Sequence, residues 1–338
     1  MNTRALEPYG WTDRWSALLA EHPECQPARV LRHDGSSLLL ATVDGPRPTP
    51  LSRRLEPAPT VGDWIACHEQ HPVAVLPRSS LLRRRAAGQD AEQALAANVD
   101  LVLLVCGLDR PVKAGRINRG ATLAWDAGAV PVVVLTKAVL GSDVDGIVDD
   151  LRADCPGIDI LVTSALEGEG LDALRDLAVG RTVTMLGESG AGKSSLVNAL
   201  LGEGVTATGD VRGDGKGRHT TTSRELHVLP AGGVLIDTPG TREVGLWVDP
   251  GAVDATFADV DWLASGCRFG DCRHDREPGC AVVEAVAAGG LAADRLDAWR
   301  ALRREAESAE LRANPHELRK RNKQFGRLVK EANKHKIR

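Results

Sequence analysis

The run Gly187-Glu188-Ser189-Gly190-Ala191-Gly192-Lys193-Ser194 has the spacing G-x-x-x-x-G-K-[S/T], a pattern that cradles phosphate. Its glycines let successive backbone N–H groups converge on phosphate oxygens. A helix that follows adds the positive end of its dipole. Lys193 is expected to reach the β- and γ-phosphates, and Ser194 to place its hydroxyl on Mg²⁺, with Ser195 next in the first helical turn. The flanks suit this chemistry: Arg181–Leu186 reads as an apolar strand and Ser195–Leu201 as a helix. A chance glycine-rich turn would need neither.

A second carboxylate-bearing segment, Asp237-Thr238-Pro239-Gly240, follows the apolar run Val234–Ile236. At a strand's C-terminal end Asp237 can hold Mg²⁺, directly or through water, and the Gly240 amide can sense the γ-phosphate. Between the two lies Gly209–His219, rich in glycine and charge, followed by Thr220-Thr221-Thr222. A glycine-rich loop ending in hydroxyls suits a switch that orders around Mg²⁺ and phosphate, with Thr221 as a magnesium ligand and Thr222 beside it. The position after Asp-x-x-Gly, where a glutamine often orients water, is Thr241. His219 is the candidate for that task; an exposed loop histidine is the plain alternative. Slow intrinsic hydrolysis follows from the missing glutamine.

Thr136-Lys137-Ala138-Val139 follows the apolar run Val130–Leu135, and Thr163-Ser164-Ala165 follows Ile158–Val162. These look like the N/T-K-x-D and S-A segments that hold guanine in GTPases. The lysine stem stacks along the ring, and a Ser-Ala amide meets O6. The fourth position is Val139 where the pattern calls for Asp. A valine accepts nothing from guanine N1–H or the exocyclic amine, a loss of about 1.5–3 kcal/mol per bond. Guanine preference is therefore expected to be weaker here. Asp143, four residues later, is a possible substitute acceptor.

Cys267-x₄-Cys272-x-His274-x₅-Cys280 supplies three thiolates and one imidazole, a set that closes a tetrahedral Zn²⁺ site with no open position. The expectation is one structural zinc. Cys25, Cys67, Cys106 and Cys155 are scattered and read as packing residues.

The elements that must position these residues fall into three stretches. Ala28–Leu31, Ser37–Val43, Trp64–Cys67 and Val73–Leu76 read as short strands of a small β-barrel or sandwich, with Gly45–Pro50 as a proline-rich loop. From Val99 to Val248, apolar strands alternate with helical stretches at Ile117–Ala127, Gly170–Ala178 and Lys193–Leu201, which argues for a mostly parallel sheet covered on both faces. After Val248 come the Cys/His cluster and a charged tail. In Arg312–Arg338 the bases Arg312, Arg319, Lys320, Arg321, Lys323, Arg327, Lys330, Lys334, Lys336 and Arg338 face only Glu317 and Glu331. The expected fold is multidomain: an N-terminal segment and small β-domain over 1–85, an α/β P-loop GTPase domain over 90–248, and a zinc-binding and helical domain over 249–338.

The base segments precede the phosphate loop, the reverse of the order in Ras-like GTPases. All of them sit on loops at one sheet edge, so a permuted chain can rebuild one pocket. This circularly permuted order, with Val61-Gly62-Asp63-Trp64, Ala96-Ala97-Asn98-Val99-Asp100, Gly217-Arg218-His219-Thr220-Thr221-Thr222 and the cluster after Cys267, resembles the ribosome small-subunit-dependent GTPase A family (RsgA, also called YjeQ). The resemblance runs from about Ala28 to the end, and Val139 departs from it. It implies that the N-terminal β-domain is an OB-like β-barrel (an OB-fold), followed by a permuted GTPase domain and a C-terminal zinc domain. It also implies a GTPase, with GTP/GDP, Mg²⁺ and Zn²⁺, stimulated by the small ribosomal subunit late in its maturation.

Bulk properties fit. The net charge of −4 is mild, and aromatics at 3% weigh against single-strand binding by stacked rings. The basic tail and barrel are expected to meet rRNA by phosphate and shape. A solvated helix face is the plain reading of the tail. No signal segment or membrane span is read, so a cytoplasmic location is expected; a monomer is expected separately. Two other readings stay open: an RNA-subunit binder with a weak nucleotide site, and a P-loop ATPase with altered base choice.

Overall fold

Short apolar runs broken by Gly, Pro and Asp turns build the first strands here, and longer continuous apolar runs build the later ones. The computed structural model describes residues 3–51, 55–85, 92–202, 224–238 and 248–313. The chain divides into two compact units, residues 1–83 with 94–244 and residues 84–93 with 245–338.

The first unit opens with a 3₁₀ turn, Arg4–Tyr9, and helix α1, Asp13–Leu19. Strands β1 (Gln26–His33), β2 (Ser37–Thr42), β3 (Gly45–Pro50), β4 (Trp64–His68) and β5 (His71–Val75) follow, all antiparallel to their neighbours in the order β3–β2–β1–β4–β5. This is the strand number of an OB-fold. Ala28, Val30, Leu38, Leu40, Ile65 and Cys67 form its core. The register shifts between Val30 and Arg32, where β1 carries the extra residue, and between Ala66 and Cys67, where β5 carries it, as at β-bulges. The run 45–50, expected as a loop, is strand β3, paired with β2 from Thr42↔Gly45 to Ser37↔Pro50. Pro46, Pro48 and Pro50 are exposed and alternate along an edge, so their missing N–H groups cost no ladder bond.

Strands β6 (Leu81–Arg85) and β7 (Glu92–Ala97) pair with each other. Then come β8 (Leu101–Gly107), α2 (Ala114–Ala127), β9 (Val130–Thr136), α3 (Val144–Asp154), β10 (Asp159–Val162), α4 (Leu171–Ala178), β11 (Thr182–Gly187), α5 (Lys193–Leu201), β12 (Glu225–Val228) and β13 (Val234–Asp237). The sheet order is β10–β9–β8–β11–β13–β12, with only β12 antiparallel. Apart from β12, which had no expected counterpart, these strands match the expected apolar runs to within a residue or two. Leu103, Val105, Val134, Val183, Met185, Leu196 and Leu235 pack the core. At Arg32↔Glu225, β12 meets β1, so the strands form one continuous sheet.

The segments 61–64 and 96–100 form the junction between these strand sets. Gly62 has φ +92°, and a Cβ there would lie 2.2 Å from the Ala97 carbonyl oxygen, so only glycine fits. Ala97 donates its amide to Val61 O (2.9 Å), and Asn98 Nδ2 donates to Gly62 O (3.0 Å). Trp64 is buried, with Trp11 edge-on at 4.8 Å. Asp63 is fully buried; it accepts from Arg78 Nε and NH2, both at 2.8 Å, and from the Thr60 amide at 2.8 Å. Burial pushes its carboxyl up against the pull of these donors.

The second unit contains α6 (Pro250–Thr256), α7 (Ala258–Ala264), α8 (Ala281–Ala287) and α9 (Ala293–Ala313). Buried Arg295 holds Asp259 with two bonds of 2.8 Å, donates to Thr256 O and lies over the Phe257 ring. The basic tail beyond Ala313 lies outside the described residues. Among the described residues, no helix is long and apolar enough to cross a membrane.

Arg78→Ala leaves the buried Asp63 carboxylate with one amide donor. Urea denaturation is expected to read a loss of about 3–5 kcal/mol, and Asp63→Asn added to Arg78→Ala should recover part of it.

Candidate nucleotide-binding site and metal centre

The C-terminal ends of β8, β9, β11 and β13 bring the phosphate and base segments to one edge of the sheet, where open α/β sheets bind ligands. Strand β11 ends at Gly187, the phosphate loop spans 187–192, and α5 starts at Lys193. Gly192 caps α5 at φ +96°, and a Cβ there would meet Thr136 Oγ1 at 2.9 Å. Lys193 Nζ donates to Gly187 O (2.5 Å) and Glu188 O (2.7 Å), which folds the ammonium into the loop. Ser189, Gly190, Ser194 and Ser195 are exposed, while Ala191 is buried. Burial pushes the Lys193 ammonium down, opposed by Asp237 and Glu188. Burial likewise pushes the Asp237 carboxyl up, opposed by His227 and Lys193. A half-buried cation and carboxylate within electrostatic reach suit phosphate on one side and Mg²⁺ on the other. The next residue, Thr238, donates its hydroxyl to Met185 O (3.0 Å) and ties the end of β13 to β11.

The base segments reach this loop directly. Thr136 Oγ1 donates to Ala191 O (2.5 Å), and Lys137 Nζ donates to Gly190 O (2.7 Å). Lys137, at φ +60°, also pairs with Asp109 Oδ2 at 2.9 Å. Arg110 and Lys137 hold the Asp109 carboxyl well below the usual carboxylate range. Arg110 also approaches Ser189 O, and Arg116 pairs with Glu188 at 2.7 Å. The sequence reading missed Asp109, Arg110 and Arg116; their only signal was their place after an apolar strand end. Ser164 is buried, donates its amide to Glu169 O (3.0 Å) and accepts from the Glu167 amide (3.2 Å). Ala165 is half-buried beside it. Asp143, the possible substitute acceptor, instead takes the Gly146 amide (3.0 Å) and caps α3. His219, Thr221, Thr222 and Gly240 lie outside the described residues.

In the second unit, Cys267, Cys272, His274 and Cys280 place their ligand atoms within 4.8 Å of one another. His274 Nδ1 lies 3.5 Å from both Cys267 Sγ and Cys280 Sγ, and those sulfurs are 3.9 Å apart. A tetrahedral zinc with bonds of about 2.3 Å to sulfur and 2.0 Å to nitrogen has edges of about 3.5–3.8 Å. The cluster is therefore compatible with zinc. Its surroundings are fixed: Cys280 Sγ caps α8 by accepting from Val283 N, the His274 ring packs on Trp299, and Arg300 donates to His274 O. Glu277 accepts from the amides of Asp275, Arg273 and Arg276, which pull its carboxyl down to about 2 and tighten the 273–277 turn.

The RsgA GTPase family model matches residues 75–247. A Streptomyces coelicolor protein named small ribosomal subunit biogenesis GTPase RsgA is 42% identical, over 98% of this chain and 95% of its own. A Vibrio parahaemolyticus protein named small ribosomal subunit biogenesis GTPase RsgA 2 is 45% identical, over 90% and 85%. The crystal structure of YjeQ from Thermotoga maritima superposes with a TM-score of 0.62 at 26% identity, covering 83% of this chain and 98% of that one. YloQ, described as a circularly permuted GTPase, shares the fold with a TM-score of 0.59 at 22% identity, covering 85% and 96%. A phosphate loop bonded to base segments that precede it in the chain, together with these likenesses, identifies the chain as a member of the RsgA GTPase family.

Proposed function

We propose that this GTPase acts on the small ribosomal subunit late in its maturation and serves as a timer: the GTP-loaded chain docks, and hydrolysis to GDP and phosphate ends the encounter. The observation that carries the reading is the bonding of Thr136 and Lys137 to the phosphate loop, which makes one pocket from segments in permuted order. The names of the relatives support the small subunit as partner. That partner places the work in the cytoplasm, with the chain acting as a monomer.

In this reading Gly187, Glu188, Ser189, Gly190, Ala191 and Gly192 wrap the phosphates, Lys193 neutralises the β- and γ-oxygens, and Ser194, Thr221 and Asp237 hold Mg²⁺. Mg²⁺ held by these three residues would offset the negative charge that builds on the phosphate oxygens. Ser195 and Thr222 complete the phosphate side, and the Gly240 amide senses the γ-phosphate. On the base side, Thr136 fixes the loop, the Lys137 stem lies along the ring, and the Ser164–Ala165 backbone meets O6. Ser164 spends its own amide on Glu169, which leaves Ala165 as the donor. His219 orients the water whose oxygen bonds the γ-phosphorus as the bond to the bridging oxygen breaks. The barrel (1–85) and basic tail bind rRNA, the 90–248 stretch hydrolyses GTP, and the 249–338 stretch carries one structural zinc.

Phosphate release from GTP is expected to be slow alone and strongly stimulated by small subunits. Lys193→Ala should abolish it, and His219→Ala should lower stimulated turnover by about 10²-fold while leaving GDP affinity intact. Unchanged stimulated turnover in His219→Ala would remove the histidine from the mechanism. Metal analysis should find one zinc per chain, falling to near zero in Cys272→Ser. A zinc-free preparation with an unaltered melting curve would contradict a structural ion.

A further inference from the structure

The base-side loops offer carbon where a purine's Watson–Crick edge asks for an acceptor. Ala138 donates its amide to Thr163 O (3.2 Å), which holds the 3₁₀ turn Ala138–Leu140 beside the turn that starts at Ser164. On these two turns Val139, Leu140 and Leu166 are 52%, 61% and 84% exposed. Two of the neighbouring carboxylates have other partners, while those of Glu167 and Glu169 are exposed to solvent. Asp109 is held by Lys137 and Arg110 at 2.9 Å each, and Asp143 caps α3 through the Gly146 amide. Glu167 and Glu169 contribute backbone bonds that close the Ser164 turn.

We propose that this site accepts 6-oxopurine nucleoside triphosphates without reading position 2, so that GTP and ITP are used alike and XTP is not rejected. The proposal rests on the nucleotide site described above. Guanine and hypoxanthine differ only by the 2-amino group. A site tells them apart when an acceptor stands ready for that amine and is left unpaired by the analogue. Val139 offers no acceptor, so its side chain has nothing that tells a 2-amino group from a hydrogen. Xanthine carries a carbonyl at position 2, which a carboxylate would repel and a valine does not. Position 6 is still read: a backbone N–H from Ala165 favours the oxygen of guanine, hypoxanthine and xanthine over the amine of adenine. The selectivity left to the pocket is therefore oxo against amino at position 6.

The test measures kcat/KM for GTP, ITP, XTP and ATP with the full chain and small subunits, and Kd for GDP and IDP with the chain alone. GTP and ITP are expected within about threefold of each other, with ATP lower. Val139→Asp, at an exposed position, should raise the GTP-over-ITP ratio at least about tenfold, in turnover and in diphosphate affinity, and depress XTP. A GTP-over-ITP preference of about tenfold or more in the unaltered chain would overturn the proposal, because an acceptor would then be reaching the base from Glu167, Glu169 or Asp143. A chain that binds neither GDP nor IDP would remove the nucleotide-site reading itself, whereas GTP-selective turnover would remove only the proposal.

Discussion

The first unit depends on one buried cation. Arg29 lies on β1 with its guanidinium out of water, donating to Tyr9 O, to Gly62 O (3.2 Å) and to Thr182 Oγ1 (2.9 Å), and stacking on Trp64. Burial lowers its pKa to about 10, countered by the fields of Asp100 and Asp63, so the charge persists at neutral pH. A charge out of water is costly unless each N–H finds an acceptor. That demand fixes three segments at once: the N-terminal turn, the barrel's Gly62 corner and the first residue of β11. Asp100 tightens the third by accepting the Thr182 amide at 2.7 Å. Five residues later, at Gly187, the same strand ends at the phosphate loop, so the loop's position follows from this anchor.

The order of segments along the chain matters less than the order of strands in the sheet. β9 lies two places from β11, with β8 between them, and Thr136 and Lys137 cross that gap to bond the phosphate loop. The contacts are side chain to backbone carbonyl, so they depend on where the strand ends are and not on how the chain connects them. A permuted chain that keeps the strand order keeps the pocket.

Continuous apolar runs made the parallel sheet legible, because strands covered on both faces have little freedom in sequence. Glycine spacing made the phosphate loop legible, and ligand spacing the Cys/His cluster. Other features were not legible, for physical reasons. The 45–50 run reads as a loop until its prolines are seen to alternate along an edge, a property of pairing and not of composition. Val61-Gly62-Asp63-Trp64 and Ala96–Asp100 stood out in sequence without a stated task. Their task is mutual: Gly62 against Ala97 O, and Asn98 against Gly62 O, across a long separation in the chain. Asp109 was invisible for the same reason, since its value lies in Lys137, which a linear reading places far away.

Val139 shows how specificity and fold come apart in such a site. The pocket's geometry is set by Thr136 and Lys137, whose bonds end on the phosphate loop, and by Ser164, whose amide and hydroxyl close their own turn. The described contacts holding the base-side turns run through these residues and the Ala138 amide. Val139 is half exposed, so the residue type at this position costs the fold little. A loss of base reading can therefore arise at this one exposed position while every framework contact stays as it is. The same separation explains why likeness to a family can be extensive along a chain and still leave the substrate's smallest group to a single side chain.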